Sequence, residues 1–389
     1  MIRSLLIAAS TLALAAPAAA TTVAGTPDYP AGAIELDKTI EQAYAYPEKL
    51  PGGVLPQSPL LAREKAAVSD RNSLLHYAED RIQSLADHHA ITGSSFKDSW
   101  AVVPTYADLW IVPDGSRYRI DAVRIGSPAE RAGIKRGEWL ASVNQVPVDQ
   151  AVAAYWSAIG LDVTPRRAGF GARVIAAGRR DRNRTLGIIG ADGKVRSLGL
   201  ISLYNEQRPD RPPVSVSSDR GRVVIRINNS LGDDATIAAF DTAMASVGPH
   251  QPVMIDLRET PSGGNSSVAR AIMGWFVTKP TSFQVHNRPI EQRETGIARQ
   301  WIEQVLPRSG KFHALLPEVL VSRWTGSMGE GIAIGFDAMG ARVRGGPMAG
   351  LNGSVEDVAL GNTDVSVKLP TERLSTVAGQ PREDFQPRQ

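Results

Sequence analysis

Val319-Leu-Val-Ser-Arg-Trp-Thr-Gly-Ser-Met-Gly-Glu-Gly-Ile-Ala-Ile-Gly335 is the stretch whose reading decides the fold. Its first three residues are a short apolar run, the pattern of a buried strand. Thr325 and Gly326 make a turn, after which Ile332, Ala333 and Phe336 share one helical face. Ser327 therefore sits where a strand turns sharply into a helix. Such a turn lifts the hydroxyl above the sheet and aims helix N-terminal N–H groups at whatever binds there. Gly326 and Gly329 flank the serine and allow close backbone approach. The plainer reading is a serine N-cap in a tight strand–helix turn, which is common. The surrounding sequence decides between the two.

Around this stretch, residues 215–389 alternate strand and helix. Val223–Ile227 and Val253–Leu257 read as strands, and Ala341–Arg344 as another beyond the Ser327 helix. Ile237, Phe240 and Met244 form one helix face, and Val268, Ile272, Trp275 and Phe276 a second. Repeated strand–helix–strand units imply a parallel sheet with helical crossovers. Sites in such sheets lie beyond the carboxyl ends of the strands. Ser262-Gly-Gly-Asn265 follows the strand Val253–Leu257 just as Ser327 follows its own. The N–H of Gly263 or Gly264, with that of Met328, would form an oxyanion hole for acyl transfer. The alternative for Gly263-Gly264 is a tight strand–helix turn.

Upstream, residues 21–99 read as a helical module. Ile34, Leu36, Ile40, Ala43 and Tyr44 fall near helical spacing, and Leu74, Leu75, Ala78, Ile82 and Leu85 share a later face. A Pro- and Gly-rich break over 47–59 separates them. The module ends in Asp87-His88-His89, a loop where a histidine would serve as general base. Three consecutive side chains do not converge easily on one metal ion. Residues 100–165 form a small β-rich unit, with a short helix opened by Ser127-Pro-Ala-Glu130 and a strand over Leu140–Val143. Residues 166–214 read as a β-rich connection, with strand-like pieces at Arg173–Ala176, Thr185–Ile189 and Val195–Leu203.

Composition sets the outer bounds. A chain of 389 residues with 42% apolar content is globular and long enough for two or three domains. A net charge of +3, with both signs interspersed, implies no nucleic-acid partner. The absence of cysteine excludes disulfides and thiolate chemistry. Residues 1–20 combine a basic start, an apolar run and Ala-Pro-Ala-Ala-Ala20, the pattern of a secretory signal. The run is too short to span a membrane. Export from a bacterium would place the mature chain in the periplasm.

Two resemblances follow from these residues. Tyr118–Pro147, with Ser127-Pro-Ala, Ala132-Gly133 and Gly137-Glu138 before a strand, resembles a PDZ domain. PDZ modules capture chain termini by strand addition; the capturing loop would lie near Tyr106-Ala-Asp-Leu-Trp110, which lacks the glycines of such loops. Taken with that run, Asp256-Leu-Arg258, Gly263-Gly264 and Ser327-Met-Gly-Glu330 resemble the tail-specific, or carboxy-terminal processing, serine peptidases. These include the tricorn core protease and the retinoid-binding-protein branch. The resemblance implies an α+β multidomain chain: N-terminal helical module, PDZ-like β domain, and a crotonase- or Clp-like α/β core with a parallel sheet.

The resemblance also implies roles. The serine three positions before the glutamate is the nucleophile, Ser327, with Met328 and the Gly263-Gly264 loop at the oxyanion. Two departures stand out. The Gly-Gly loop is one residue longer than the family's and lacks its asparagine. Members of the Ser-Lys type carry a lysine in a Gly-Lys-Gly turn where this chain has Leu351-Asn352-Gly353. The tricorn-like branch uses instead a histidine before the PDZ region and a glutamate near the C-terminus. His89, rather than His88, matches the histidine; Glu383 is the first choice for the carboxylate that orients it and Glu372 the second. Protein or peptide substrates are implied, with no metal or cofactor. The reading from another class is a catalytically silent peptide- or lipid-binding protein on the same fold.

Overall fold

Helix α1 (Tyr29–Ala43) starts where Asp28 accepts a hydrogen bond from the Ala31 N–H and Pro30 occupies the first turn. This computed structural model describes residues 26–207 and 210–387; the expected signal segment lies outside them. Leu36 and Ile40 are buried along α1, but Ile34, expected on the same face, is 61% exposed. Two 3₁₀ turns, Pro47–Lys49 and Pro51–Gly53, carry the chain to α2 (Pro59–Ala66) and α3 (Arg71–Gln83). Asp70 and Ser73 cap α3 reciprocally. The loop after α3 carries His88 and His89 into β1 (Ile91–Thr92). Leu36, Ile40, Leu74 and Ala78 share one core with Leu360, Val365, Val367 and Leu369. Early and late segments of the described chain are thus packed into one body.

The second unit is an antiparallel sheet. It comprises β2 (Leu109–Asp114), β3 (Arg117–Val123), the helical turn α4 (Pro128–Arg131), β4 (Trp139–Val143), β5 (Val146–Pro147) and α5 (Val148–Ser157). It continues through α6 (Pro165–Ala177), β6 (Arg184–Ile189) and β7 (Val195–Leu200). Strand order is β2-β3-β4-β6-β7, with β5 on β4. The strand expected at Arg173–Ala176 is therefore the last turn of a helix. Thr164 caps α6, Pro165 sets its first turn, and Phe170 and Val174 fall on one buried face at helical spacing. Those signals outweigh the β preference of Val174 and Ile175. With α6, β6 and β7 built into the sheet, the unit expected over 100–165 runs on to about residue 200, and little of 166–214 is a connection.

The core holds β8 (Val214–Asp219), β9 (Arg222–Ile227), α7 (Ala235–Ala245), β10 (Val253–Asp256) and α8 (Ser266–Met273). After these come β11 (Thr281–Asn287), α9 (Pro289–Thr295), β12 (Gln300–Val305), β13 (Glu318–Val321) and α10 (Met328–Ala338). β14 (Arg342–Gly345), β15 (Ser354–Ala359) and β16 (Ser366–Ser375) close it. One sheet runs β14-β13-β10-β9-β8, parallel except for the edge strand β8. Ile332 and Phe336 on α10 are fully buried against it, each worth about 2 kcal/mol in removed apolar surface. A second, antiparallel sheet, β1-β16-β11-β12 with β15 on β16, was not anticipated.

Ile255 on β10 pairs with Val319 on β13. The loops that follow these strands therefore leave the sheet side by side, joined again by a bridge between Thr260 and Thr325. No helix among the described residues is long and apolar enough to cross a membrane.

Candidate active site

Ser327 has φ 52° and ψ −114°, a conformation that costs a non-glycine residue energy. The fold holds it there. Its N–H donates to Glu330 Oε2 at 2.8 Å, and the Gly326 N–H donates to the Thr260 carbonyl at 3.2 Å. Glu330 is fully buried and also accepts from the N–H groups of Gly350, at 2.8 Å, and Leu351, at 3.3 Å. Burial pushes its carboxyl up to about 7, against the pull of Arg382 and the three amides. Glu330 thus ties the serine turn to the segment 350–353.

The loop after α3 brings His89 to Ser327: Nε2 lies 3.0 Å from Oγ. The other ring nitrogen, Nδ1, lies 2.6 Å from the Asn352 main-chain carbonyl. A carbonyl only accepts, so Nδ1 carries the proton and Nε2 is left to accept from the serine hydroxyl. The His89 N–H donates to Asp87 Oδ1 at 2.9 Å, which fixes the loop below the ring. Burial, then the nearby Arg382, push the imidazole down to about 4; the Asn352 carbonyl and Asp87 act in the other direction. The ring is therefore neutral at neutral pH, the form a general base needs. His88 is engaged elsewhere. Its ring stacks on Phe170 at 4.2 Å, and its Nε2 accepts from Arg173 Nε at 2.8 Å.

Neither carboxylate expected beside the base touches it. Glu383 accepts from Lys49 Nζ at 2.8 Å, and Lys49 donates in turn to Asn352 Oδ1 at 2.5 Å. Glu372 accepts from His286 Nδ1 at 3.0 Å. The orienting position is filled by the main-chain carbonyl of Asn352, one of the two residues, with Leu351, expected at the place of the Ser-Lys pattern's lysine. The Asn352 side chain also donates to Asp87 Oδ2 at 2.7 Å. Arg382 Nη2 donates to the carbonyls on either side, Leu351 at 3.2 Å and Gly353 at 2.6 Å. The Asn352 amide and the two carbonyls that flank its own are thus each held by a named donor or acceptor.

On the opposite side of Ser327 lies the Gly263-Gly264 loop. A Cβ on Gly263, whose φ is +64°, would fall 2.4 Å from Ser327 Cβ and 3.1 Å from Met328 N. A Cβ on Gly264 would fall 2.0 Å from the Leu231 carbonyl carbon. Both positions admit only glycine. The Gly263 N–H is engaged by the Thr260 carbonyl at 3.2 Å. Met328 is the first residue of α10, so its N–H has no partner within the helix. With Gly264, it is placed to meet a carbonyl oxygen at the nucleophile.

The sequence finds no match among protein-family models, and none among curated proteins. Solved structures do match. The photosystem II D1 C-terminal processing protease aligns with a TM-score of 0.55 at 16% identity, over 93% of this chain and 92% of that one. Mature CPAF in complex with lactacystin aligns with a TM-score of 0.54 at 12% identity, over 92% and 93%. The chain has the fold of the carboxy-terminal processing proteases. Identity at this level establishes the fold and leaves the chemistry to the residues present.

Within that fold, the Gly263-Gly264 loop has a clamp that the sequence did not reveal. Asn229 Oδ1 accepts from the Ser262 N–H at 3.0 Å and its Nδ2 donates to Ser262 Oγ at 2.9 Å. The signal for it was slight: a polar Asn228-Asn229-Ser230 run directly after a strand. Asn352, Lys49 and Asn229 all act through groups that carry no motif. The Tyr106–Trp110 loop fastens the second unit to the α/β core. The Ala107 carbonyl accepts from Trp324 Nε1 at 2.7 Å, and the buried Asp108 pairs with Arg184. A cleft of about 840 Å³ separates the same two parts, lined by Arg124, Ser127, Arg131, Asn228, Asn229 and Glu259. Asn229 links it to the oxyanion loop.

Proposed function

We propose that this chain is a serine endopeptidase of the tail-specific processing family, with Ser327 as nucleophile and His89 as base. The observation that carries the reading is the 3.0 Å contact between His89 Nε2 and Ser327 Oγ, made by residues 238 positions apart at a strained strand–helix turn. His89 takes the hydroxyl proton as Oγ attacks a peptide carbonyl. The oxyanion rests on the N–H groups of Met328 and Gly264. His89 then protonates the leaving amine, and a water activated in the same way releases the acyl group from Ser327.

The Asn352 carbonyl holds the imidazole in its working tautomer, the geometric half of a triad acid's role. Asp87, two residues before His89 and buried, supplies the negative charge that favours the transient imidazolium. The substrate is an extended protein or peptide segment entering by the cleft between the second unit and the core. In this reading the second unit is a PDZ module, residues 1–20 direct export, and the mature enzyme works in the bacterial periplasm. The silent-binding alternative drew on the absent lysine and the longer glycine loop. A neutral histidine in contact with the serine supplies a base without that lysine.

The test is digestion of unfolded casein by the chain from Thr21 onward, with Ser327→Ala beside it and the products read by mass spectrometry. Cleavage that disappears in the alanine variant supports a serine peptidase. Cleavage that survives it removes Ser327 from the mechanism.

A further inference from the structure

The segment that leaves α1 passes directly beneath the catalytic loop. Core arginines hold its main chain: Arg293 donates to the carbonyls of Gln42 at 2.6 Å and Tyr44 at 3.2 Å, and Arg373 to that of Ala45 at 2.7 Å. The Ala45 N–H pairs with the Pro370 carbonyl at 2.9 Å, extending the contact onto β16. From this fixed strap two side chains reach the surroundings of His89. Tyr44 Oη donates to Asp87 Oδ2 at 2.8 Å, and Lys49 Nζ donates to Asn352 Oδ1 at 2.5 Å.

We infer that Lys49 is a positioning residue for His89, acting through Asn352 and held in turn by Glu383. This rests on the peptidase reading above. An asparagine amide tied at one end can still swing. Asn352 is tied at both, by Asp87 on Nδ2 and by Lys49 on Oδ1, so its main-chain carbonyl is fixed toward Nδ1 of His89. A neutral donor at 49 would satisfy Asn352, but it would strand Glu383. That carboxylate has a side chain only 6% exposed, and its Oε2 makes no hydrogen bond among the described residues. Lys49 is its one salt-bridge partner among those residues. An unpaired buried carboxylate is costly, and this one lies next to Arg382, which sets the carbonyls flanking Asn352. Charge and donor are therefore both required at position 49. The consequence is that the strap after α1 and the C-terminal tail form part of the catalytic apparatus, with Lys49 joining Glu383 of the tail to Asn352.

The experiment compares Lys49→Met and Lys49→Arg in the chain from Thr21, reading kcat and KM on a peptide cut in a Ser327-dependent way. Beside these, the 1H and 15N signals of the His89 ring are recorded, assigned with His89→Asn. Lys49→Met is expected to lower kcat roughly ten- to a hundredfold with KM little changed, and to move or broaden the Nδ1–H signal. Lys49→Arg, which can donate to Asn352 and pair with Glu383, recovers most of kcat. Should Lys49→Met not fold, the double variant Lys49→Met with Glu383→Gln removes both charges together and carries the same expectation. An unchanged kcat and an unchanged ring signal in a folded variant overturn the inference, as does a loss that arginine fails to relieve. A wild-type chain without Ser327-dependent cleavage would overturn the peptidase reading instead, and the ring signal would still decide how His89 is held.

Discussion

His89 Nδ1 meets the main-chain carbonyl of Asn352 at 2.6 Å, where a serine triad has a carboxylate. A carbonyl fixes the tautomer as well as an acid does, but it brings a dipole and no charge. Burial, then the charge of Arg382, make the ring hard to protonate despite that contact, and its pKa falls to about 4. The base works when neutral, so its activity persists as pH falls until that value is approached. The acid limb of kcat/KM is expected near pH 4, well below the ordinary histidine range around 6.5. A profile of kcat/KM from pH 3.5 to 8 checks this; a limb between 6 and 7 would mean that the ring is solvated or paired with an acid.

Asp87 is the anion closest to the base in the chain, and it accepts from the His89 N–H, Tyr44 Oη and Asn352 Nδ2. Asp87→Asn keeps the shape but sets an NH₂ group against donors and removes the charge that supports the imidazolium. Loss of kcat by roughly a hundredfold is expected, with KM changed much less. Steady-state kinetics with a chromogenic peptide decides it, and an asparagine variant of full activity would assign the charge elsewhere.

The strand–helix turn that carries Ser327 was legible in the sequence because a buried strand, a glycine and an amphipathic helix each leave a local pattern around it. His89 was reached only through family likeness, since a loop histidine has no periodicity. In the sequence, Leu351 or Asn352 marks only the place of an absent lysine. The function of Asn352 belongs to a main-chain carbonyl, which every residue possesses and no motif marks. Glu383, expected to orient the ring, stands three hydrogen bonds from it, through Lys49 and Asn352, and Lys49 lies 334 positions away in the chain. The second sheet escaped notice because β11 and β12 carry Gln284, His286, Gln300 and Glu303 among their apolar residues. Gln284, His286 and Glu303 hydrogen-bond to one another across the two strands, a fact of tertiary structure rather than of pattern.

Adjacent histidines should separate cleanly by mutation. His89→Ala removes the base and is expected to cost kcat roughly a thousandfold with a small change in stability. His88→Ala leaves Ser327 facing its base but removes the ring stacked on Phe170 and the acceptor of Arg173. It is expected to cost about 2 kcal/mol of stability and far less activity below the unfolding transition. Urea unfolding beside kinetics distinguishes them; the reverse order would move the base to His88.

Gly263→Ala probes the oxyanion side. The new methyl would lie 2.4 Å from Ser327 Cβ and 2.9 Å from its Oγ, in a backbone conformation of positive φ. The conformation alone costs about 1–2 kcal/mol, and the methyl occupies the approach to the Met328 N–H. A fall in kcat of at least roughly a hundredfold is expected, larger than any change in KM. Acylation by a fluorophosphonate probe should slow in parallel, because that reaction uses the same hollow.

The His286 cluster predicts a pH dependence of stability distinct from the active-site limb. Burial pulls the His286 imidazole down, but hydrogen bonds to Glu303 and Glu372 and their charges outweigh it, and the pKa rises to about 9. Arg270 also pairs with Glu303, so the group is balanced only while His286 carries its proton. A histidine whose folded pKa exceeds its unfolded value contributes stability fully below the unfolded value and loses it as pH rises through the folded one. A rise from the ordinary 6.5 to about 9 corresponds to about 3 kcal/mol. Unfolding free energy should therefore fall by about that amount between pH 6.5 and pH 9. His286→Gln is expected to be less stable at pH 6.5 and to lose the slope, since glutamine does not titrate. Urea titrations at several pH values across this window measure both quantities. A slope that survives the substitution would place the titrating group outside the cluster of Glu303, His286 and Glu372.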